Sequence, residues 1–260
     1  MDAAFDRDRF STLLQTRDIG RELVYRQSTG STMDDARVLA EQGAAHGTAV
    51  FAEEQLAGRG RRGRSFESPA GENIYVTFIL RLAMEDLRKA TIAVPVAVCQ
   101  PCRETGADAR IKWPNDIWVG ERKTCGMLID SEVTSASALL FPGIGINVNG
   151  DPTQIPELAA IATSLRRETG AHVDREQLLA SLCNHLEAAL DMEPAELASI
   201  YRELNLIAGR TITVDESGRP PFEAKAVDLA DDGSLVIELP GGERRTVTAA
   251  DVSIRPSGGG

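Results

Sequence analysis

Residues 58–64 read Gly-Arg-Gly-Arg-Arg-Gly-Arg, and the stretches on either side, Thr48–Ala52 and Ile74–Leu80, are apolar and rich in strand-forming side chains. Any compact fold must therefore carry four guanidinium groups on one glycine-rich loop held at both ends by strands. Like charges this close repel one another until an anion neutralises them. Arginine's planar fork matches phosphate and carboxylate oxygens, and glycine lets backbone N–H groups turn toward the same anion. A solvated basic run that holds nucleic acid loosely usually sits in low-complexity sequence, which this is not. The formal net charge of the whole chain is −11, so general nucleic-acid binding is disfavoured and small anions or a specific protein remain as partners.

A chain of 260 residues can bury a core large enough for one big domain or a large one with a small companion. The first residues, Met1–Asp8, lack the cationic and apolar regions of a signal peptide, and no apolar run reaches the roughly 18 residues of a membrane span. The expectation is a soluble, cytoplasmic protein. Four cysteines suit a reducing compartment. Cys99 and Cys102 have C-x-x-C spacing but fall late in an apolar stretch, without the second pair a structural zinc would need, and read as core. His46, His172 and His185 are scattered and form no triad with a serine or cysteine.

Val24–Gln27 predicts a short strand. A helix follows, with Ser31 or Thr32 as N-cap and Asp34 and Asp35 complementing the dipole in its first turn. The apolar stretch Asp86–Arg103 predicts a buried helix that Pro95 and Pro101 kink or end early. Strands and turns then alternate through 110–112, 117–119, 123–132 and 138–148, with a hairpin at Gly120–Arg122. Asp174 and Gln177 form a capping box for a helix over 174–191, whose Leu178, Leu182, Leu186 and Leu190 share one face. A second helix covers Ala195–Leu204. After Asn205 come short β segments at 211–214, 222–229, 234–239 and 244–248, with hairpins at Asp232-Gly233 and Gly241-Gly242. The expected class is α+β: a mixed-sheet domain over 1–206, an SH3-like barrel over 207–256, and a glycine tail at 257–260.

In Phe141–Asn149, Ile144, Ile146 and Val148 alternate with Gly143, Gly145, Asn147 and Asn149. One face is core, and the other has two bare positions followed by two amides. Two glycines in a strand fit a bulge as well as a floor for a flat ligand. In Lys112-Trp113-Pro114-Asn115-Asp116, the proline forces Trp113 extended and Asn115-Asp116 favours a turn that presents a carboxylate, able to hold Mg²⁺ or orient an arginine. Lys123 begins the returning strand, with Gly126 just beyond. By spacing alone, a lysine there is a solvated hairpin residue.

These segments together carry a family resemblance. Ser31-Thr32 before a helix, Glu54-Gln55 ahead of Ala57–Arg64, Lys112–Asp116, Lys123 with Gly126, and Gly143–Asn147 occur in the order and spacing of biotin protein ligases, over nearly the whole chain. The resemblance implies that biotin and ATP-Mg²⁺ give biotinyl-5′-AMP and pyrophosphate, after which a carrier-protein lysine takes the biotinyl group. It implies that Arg59 and Lys123 act at the reacting charges, where carboxylate and phosphate meet. Ser31, Thr32, Gln55, Arg59, Gly60, Arg61, Lys123, Gly126, Gly143 and Gly145 would line the biotin site. Arg61, Arg62, Arg64, Phe66, Asn115, Asp116 and Asn147 would face the nucleotide, with Phe66 as an aromatic cover and Asp116 as the candidate for Mg²⁺. Met33 departs from the family, which often has Asn there, and cannot hydrogen-bond a ureido group. Only about 30 residues precede Ser31, too few for the winged helix of repressor-type members, so the form implied is monofunctional and ignores DNA.

The implied partner is the biotin carboxyl carrier protein or domain of a carboxylase such as acetyl-CoA carboxylase. Neither a membrane nor a tightly bound cofactor is implied, and a homodimer is compatible. A lipoate or octanoate protein ligase of the same superfamily, a biotin-responsive DNA-binding repressor and a catalytically silent vitamin-binding module are the rival readings. The arginine run disfavours the lipoate enzyme.

Overall fold

Apolar, β-branched runs become strands, and eight of them join one mixed sheet in the computed structural model, which describes residues 4–60, 68–216, 218–248 and 250–254. Along the chain, α1 (Arg7–Leu13), β1 (Leu23–Arg26), α2 (Thr32–Glu41) and β2 (Ala49–Ala52) lead to β3 (Ile74–Phe78) and β4 (Leu80–Ala83). Then come α3 (Leu87–Glu104), β5 (Ala109–Lys112), β6 (Asp116–Val119), β7 (Arg122–Val133) and β8 (Ser137–Ile146), followed by α4 (Leu165–Thr169), α5 (Arg175–Asp191) and α6 (Pro194–Leu204). The sheet order is β1-β2-β3-β8-β7-β6-β5, with β4 also on β8. Only β1 and β2 run parallel; the other neighbours are antiparallel.

The two faces of this sheet are covered differently. On one, Val76, Phe78, Ile144 and Ile146 pack in a single core with α3, α5 and α6. On the other, α2 covers Val50, Ile79 and Phe141 through Met33, Ala36 and Ala40. Since α2 has only ten residues, this face stays uncovered beyond its N-terminus. That gap holds the site.

The helix α3 does not end early: it runs through Pro95 and Pro101 to Glu104. Each interior proline costs about 3 kcal/mol, but eleven residues of α3 are buried and each large apolar one returns about 1.5–3 kcal/mol, so packing prevails. Cys99 and Cys102 lie within it as free, buried thiols. Burial pushes Cys99 up to about 12 and Cys102 well above its ordinary value, so both stay protonated and inert. Four of these elements escaped the sequence reading: α1, β4, α4 and the last strand of the second sheet, β13 (Asp251–Ile254). Among the described residues, no helix is long and apolar enough to cross a membrane.

The second sheet contains β9 (Thr211–Asp215), β10 (Phe222–Leu229), β11 (Leu235–Glu238), β12 (Arg244–Val247) and β13 (Asp251–Ile254), all antiparallel in the SH3-like order β12-β11-β10-β9-β13. It is tied to the rest of the fold at defined points. The Trp113 indole N–H donates to the Gly233 carbonyl at 2.9 Å, and Arg202 of α6 donates through Nε to the Leu229 carbonyl of β10 at 3.0 Å.

Candidate functional site

Beyond the N-terminus of α2 lies a cavity of about 940 Å³. Its floor follows from strand register. On β8, Gly145 stands opposite Gly126 of β7, Gly126 opposite Asp116 of β6, and Asp116 opposite Lys112 of β5. One row across the sheet therefore has two positions without side chains, then a carboxylate, then an ammonium. The adjacent row is Thr77, Gly143 and Leu128. A Cβ on Gly143 would lie 2.8 Å from Met33 Cε, so the thioether of Met33 already fills the space that glycine leaves.

Lys123 reaches the cavity because of an irregularity in pairing. Strict alternation from Gly126 would send Lys123 to the core side with Cys125, but the register slips between Ile117 and Trp118, leaving Thr124 extra and setting Lys123 opposite Trp118. Such a bulge re-aims the side chain that follows it. The Lys123 Nζ then lies 2.8 Å from Asp116 Oδ1, in a half-buried ion pair. The backbone of Lys123 is fixed on its other side: its N–H donates to Ile161 O and its carbonyl accepts from Thr163 N–H, both at 2.9 Å.

At the opposite wall, Ser31 caps α2 by accepting from the Met33 N–H. The Thr32 N–H and hydroxyl donate to Gln55 Oε1 at 3.0 and 3.1 Å, and the same hydroxyl is 2.8 Å from Thr77 Oγ1. Gln55 in turn donates through Nε2 to Ser68 Oγ at 3.2 Å. Arg59 pairs with Asp34 in the first turn of α2. The arrangement can hydrogen-bond a flat polar head near Thr32 and Gln55 and neutralise an anion near Lys123 and Arg59.

Of the residues singled out in the sequence, Ser31, Thr32, Gln55, Arg59, Gly60, Asn115, Asp116, Lys123, Gly126, Gly143, Gly145 and Asn147 all line this cavity. Arg61, Arg62, Arg64 and Phe66 lie outside the described residues. Asn115 and Asn147 also serve the scaffold, donating through their amides to the carbonyls of Met127 and Thr163. Asn149 does not join the floor: the strand ends at Ile146, and its side chain turns inward to accept from Val173 N–H and donate to Val173 O, both at 2.9 Å. Trp113 and Pro114 are joined by a cis peptide bond.

Sequence reasoning missed Thr77, the hydrophobic wall at Ile155, Leu158 and Ile161, and the contribution of the second sheet through Asp215 and residues 252–254. Thr77 had a signal, the one aliphatic hydroxyl in a strand otherwise built of aliphatic and aromatic side chains. The contribution of the second sheet had none, because it depends on how two units dock. Among the described residues no group of three or more His, Cys, Asp or Glu gathers as a metal site.

Comparison with known proteins adds an independent line. Residues 23–148 match the biotin/lipoate A/B protein ligase family, and residues 207–255 match the biotin protein ligase C-terminal domain. The chain is 31% identical to the biotin--[acetyl-CoA-carboxylase] ligase of Mycobacterium tuberculosis, covering 95% of this chain and 98% of that one. It is also 31% identical to the bifunctional ligase/repressor of Bacillus subtilis, covering 93% of this chain and 76% of the relative. Among solved structures, the biotin protein ligase from Aquifex aeolicus in complex with biotin and ATP matches with a TM-score of 0.76 at 27% identity, over 91% of this chain and all of that one.

Proposed function

The chain belongs to the biotin protein ligase family, and on that premise we propose how its own residues carry out the two half-reactions. The protein is an ATP-dependent ligase that forms biotinyl-5′-AMP and passes the biotinyl group to a lysine of a biotin carboxyl carrier protein. The observation that carries this reading is the convergence of Lys123, Asp116, Arg59, Thr32 and Gln55 on one glycine-floored cavity.

In the first step a carboxylate oxygen of biotin attacks the α-phosphorus of ATP, the bond to the β-phosphate oxygen breaks, and pyrophosphate leaves. Two anions must approach each other. Lys123 neutralises the carboxylate and the developing phosphate charge, held in position by Asp116 at 2.8 Å. Arg59 supports the same charge from the mouth, exchanging Asp34 for substrate oxygens. Thr32 and Gln55 take the ureido head, while Gly143, Gly145 and Gly126 let the rings lie against the backbone. Arg61, Arg62, Arg64 and Phe66 would act on the nucleotide side. In the second step the carrier amine attacks the acyl carbon of the mixed anhydride and AMP departs.

Magnesium enters with the nucleotide, because Mg²⁺ binds mainly through substrate phosphates and water with one or two carboxylates. Asp116 is the carboxylate on the floor row that could share it, with Oδ1 already engaged by Lys123. Requirement for ATP and four buried free thiols favour the cytoplasm as its compartment.

A carrier domain, ATP, Mg²⁺ and biotin incubated with the protein should yield a carrier heavier by one biotinyl group, blocked when the acceptor lysine is replaced. The protein should not retain DNA in a biotin-dependent way at physiological salt. Sequence-specific retention would return the repressor reading.

A further inference from the structure

Away from the cavity, the end of β2 carries a charge into the core. Glu53 directly follows the fully buried run Ala49–Ala52 and is itself 1% exposed. Its carboxylate faces Arg175, 4% exposed, the first residue of α5: Nη1 lies 2.6 Å from Oε2 and Nη2 3.4 Å from Oε1. Oε1 also accepts from the Phe5 N–H at 2.8 Å and the Tyr25 hydroxyl at 3.2 Å. Removing two charges from water costs several kcal/mol per ion, so a buried pair of this kind is a poor way to gain stability. Its location suggests a different role.

Glu53 and Asn73 bracket the segment that carries the arginine run. Arg175 binds the side chain of the first and, through Nη1, the carbonyl of the second at 3.2 Å. Asn73 extends the reach, its Oδ1 accepting from Val148 N–H at 2.8 Å and Gly150 N–H at 3.3 Å, next to cavity-lining Asn147. Gln55 is two residues beyond Glu53. Its segment runs parallel to residues 26–30, with Glu53 N–H on Arg26 O, Leu56 N–H on Thr29 O and Ala57 N–H on Gly30 O at 2.9–3.0 Å. A shift of Glu53 along this pairing would move Gln55 off Thr32.

We propose that Arg175 is a positioning residue for the adenylation site, clamping through Glu53 and Asn73 both ends of the arginine-bearing segment and thereby holding Gln55 on Thr32. This rests on the biotin-binding reading of the cavity. Loss of the clamp weakens ground-state and transition-state binding of the biotin head alike, so KM for biotin rises while kcat changes little.

The test uses two variants of the full chain. Arg175→Lys keeps the charge but cannot span Glu53 and Asn73 with a planar fork. Glu53→Gln/Arg175→Met removes both charges, and replacing a buried pair whole is often tolerated in stability. Misplacement of binding groups by about 1 Å can cost up to about 100-fold, so KM for biotin should rise about tenfold or more in each folded variant, with kcat within about threefold. The Arg175→Lys variant should recover partly relative to the double variant. A biotin KM within about twofold of the parent in whichever variant folds, together with a lowered melting temperature, overturns the proposal and leaves the pair purely structural. If neither variant folds, the pair carries the fold and the positioning claim fails as well. A parent protein that forms no biotinyl adenylate at all would instead count against the function on which this inference rests.

Discussion

In the proposed adenylation the chemistry turns on Lys123, and the position of this residue comes from a single extra residue in β7. Without the bulge at Thr124 its side chain would point to the core with Cys125; with it, Nζ meets Asp116 at 2.8 Å. Replacing Lys123 with Ala should lower adenylation by roughly 10²- to 10³-fold, as expected for loss of one preorganised stabiliser of developing charge. Single-turnover kinetics of pyrophosphate release would measure it, and a rate within about threefold of the parent would assign Lys123 a solvated role. At Gly143 the question is one of space. An added methyl meets Met33 Cε at 2.8 Å, the end of a flexible side chain, so Gly143→Ala should cost about 1–3 kcal/mol of stability. Adding Met33→Ala should recover part of that, and melting curves that prove additive would show that the two do not touch. The departure at Met33 thus has a physical account: its thioether packs on the glycine floor, a task that needs no hydrogen bond.

Among the elements, α5 does more than fill the core. At its N-terminus Asp174 caps it by accepting from Gln177 N–H at 3.0 Å, and Arg175 beside it reaches the buried Glu53. Near its C-terminus, Glu187 accepts the N–H groups of Arg17, Asp18 and Ile19 at 2.7–3.1 Å, stapling the segment after α1 to the body. Partial burial opposes ionisation of Glu187, yet those three N–H donors and the Arg17 charge outweigh it and hold its carboxyl below the usual range. A folded pKa below the unfolded value of about 4.3 contributes stability that is fully present above that value and is lost as pH falls through the folded pKa. The melting-temperature gap between parent and Glu187→Gln should therefore be wide at neutral pH and close below about pH 4. A gap that stays constant from neutral pH to pH 3 would mean the carboxylate charge is not what holds the segment. Long periodic elements such as α5 and α6 were legible in the sequence because their apolar positions repeat with the helical turn. The apolar run of α3 was legible as a buried helix for the same reason; what local proline chemistry could not show was that packing carries it through Pro95 and Pro101 without an early end.

At the level of the whole molecule, the cavity exists because one short helix covers only part of a wide sheet and a second sheet closes the far side. Among the described residues, those that meet there were readable from the start of the arginine run at Arg59 and Gly60, the Lys112–Asp116 segment and the alternating glycines, each of which violates an ordinary structural preference. How they meet was not readable, because the bulge at Thr124, the inward turn of Asn149 and the approach of residues 252–254 depend on pairings between distant stretches. Two tethers, Trp113 to Gly233 and Arg202 to Leu229, hold the second sheet where it can line the cavity, which makes the site a property of both units. The central claim is that this cavity joins biotin to AMP before any transfer takes place. Its most direct test is mass spectrometry of the purified protein incubated with ATP, Mg²⁺ and either biotin or lipoate, without carrier. Biotinyl-5′-AMP with stoichiometric pyrophosphate, and little or no lipoyl adenylate, is the predicted result; biotin retained without pyrophosphate release, or lipoyl adenylate formed in preference, would contradict it.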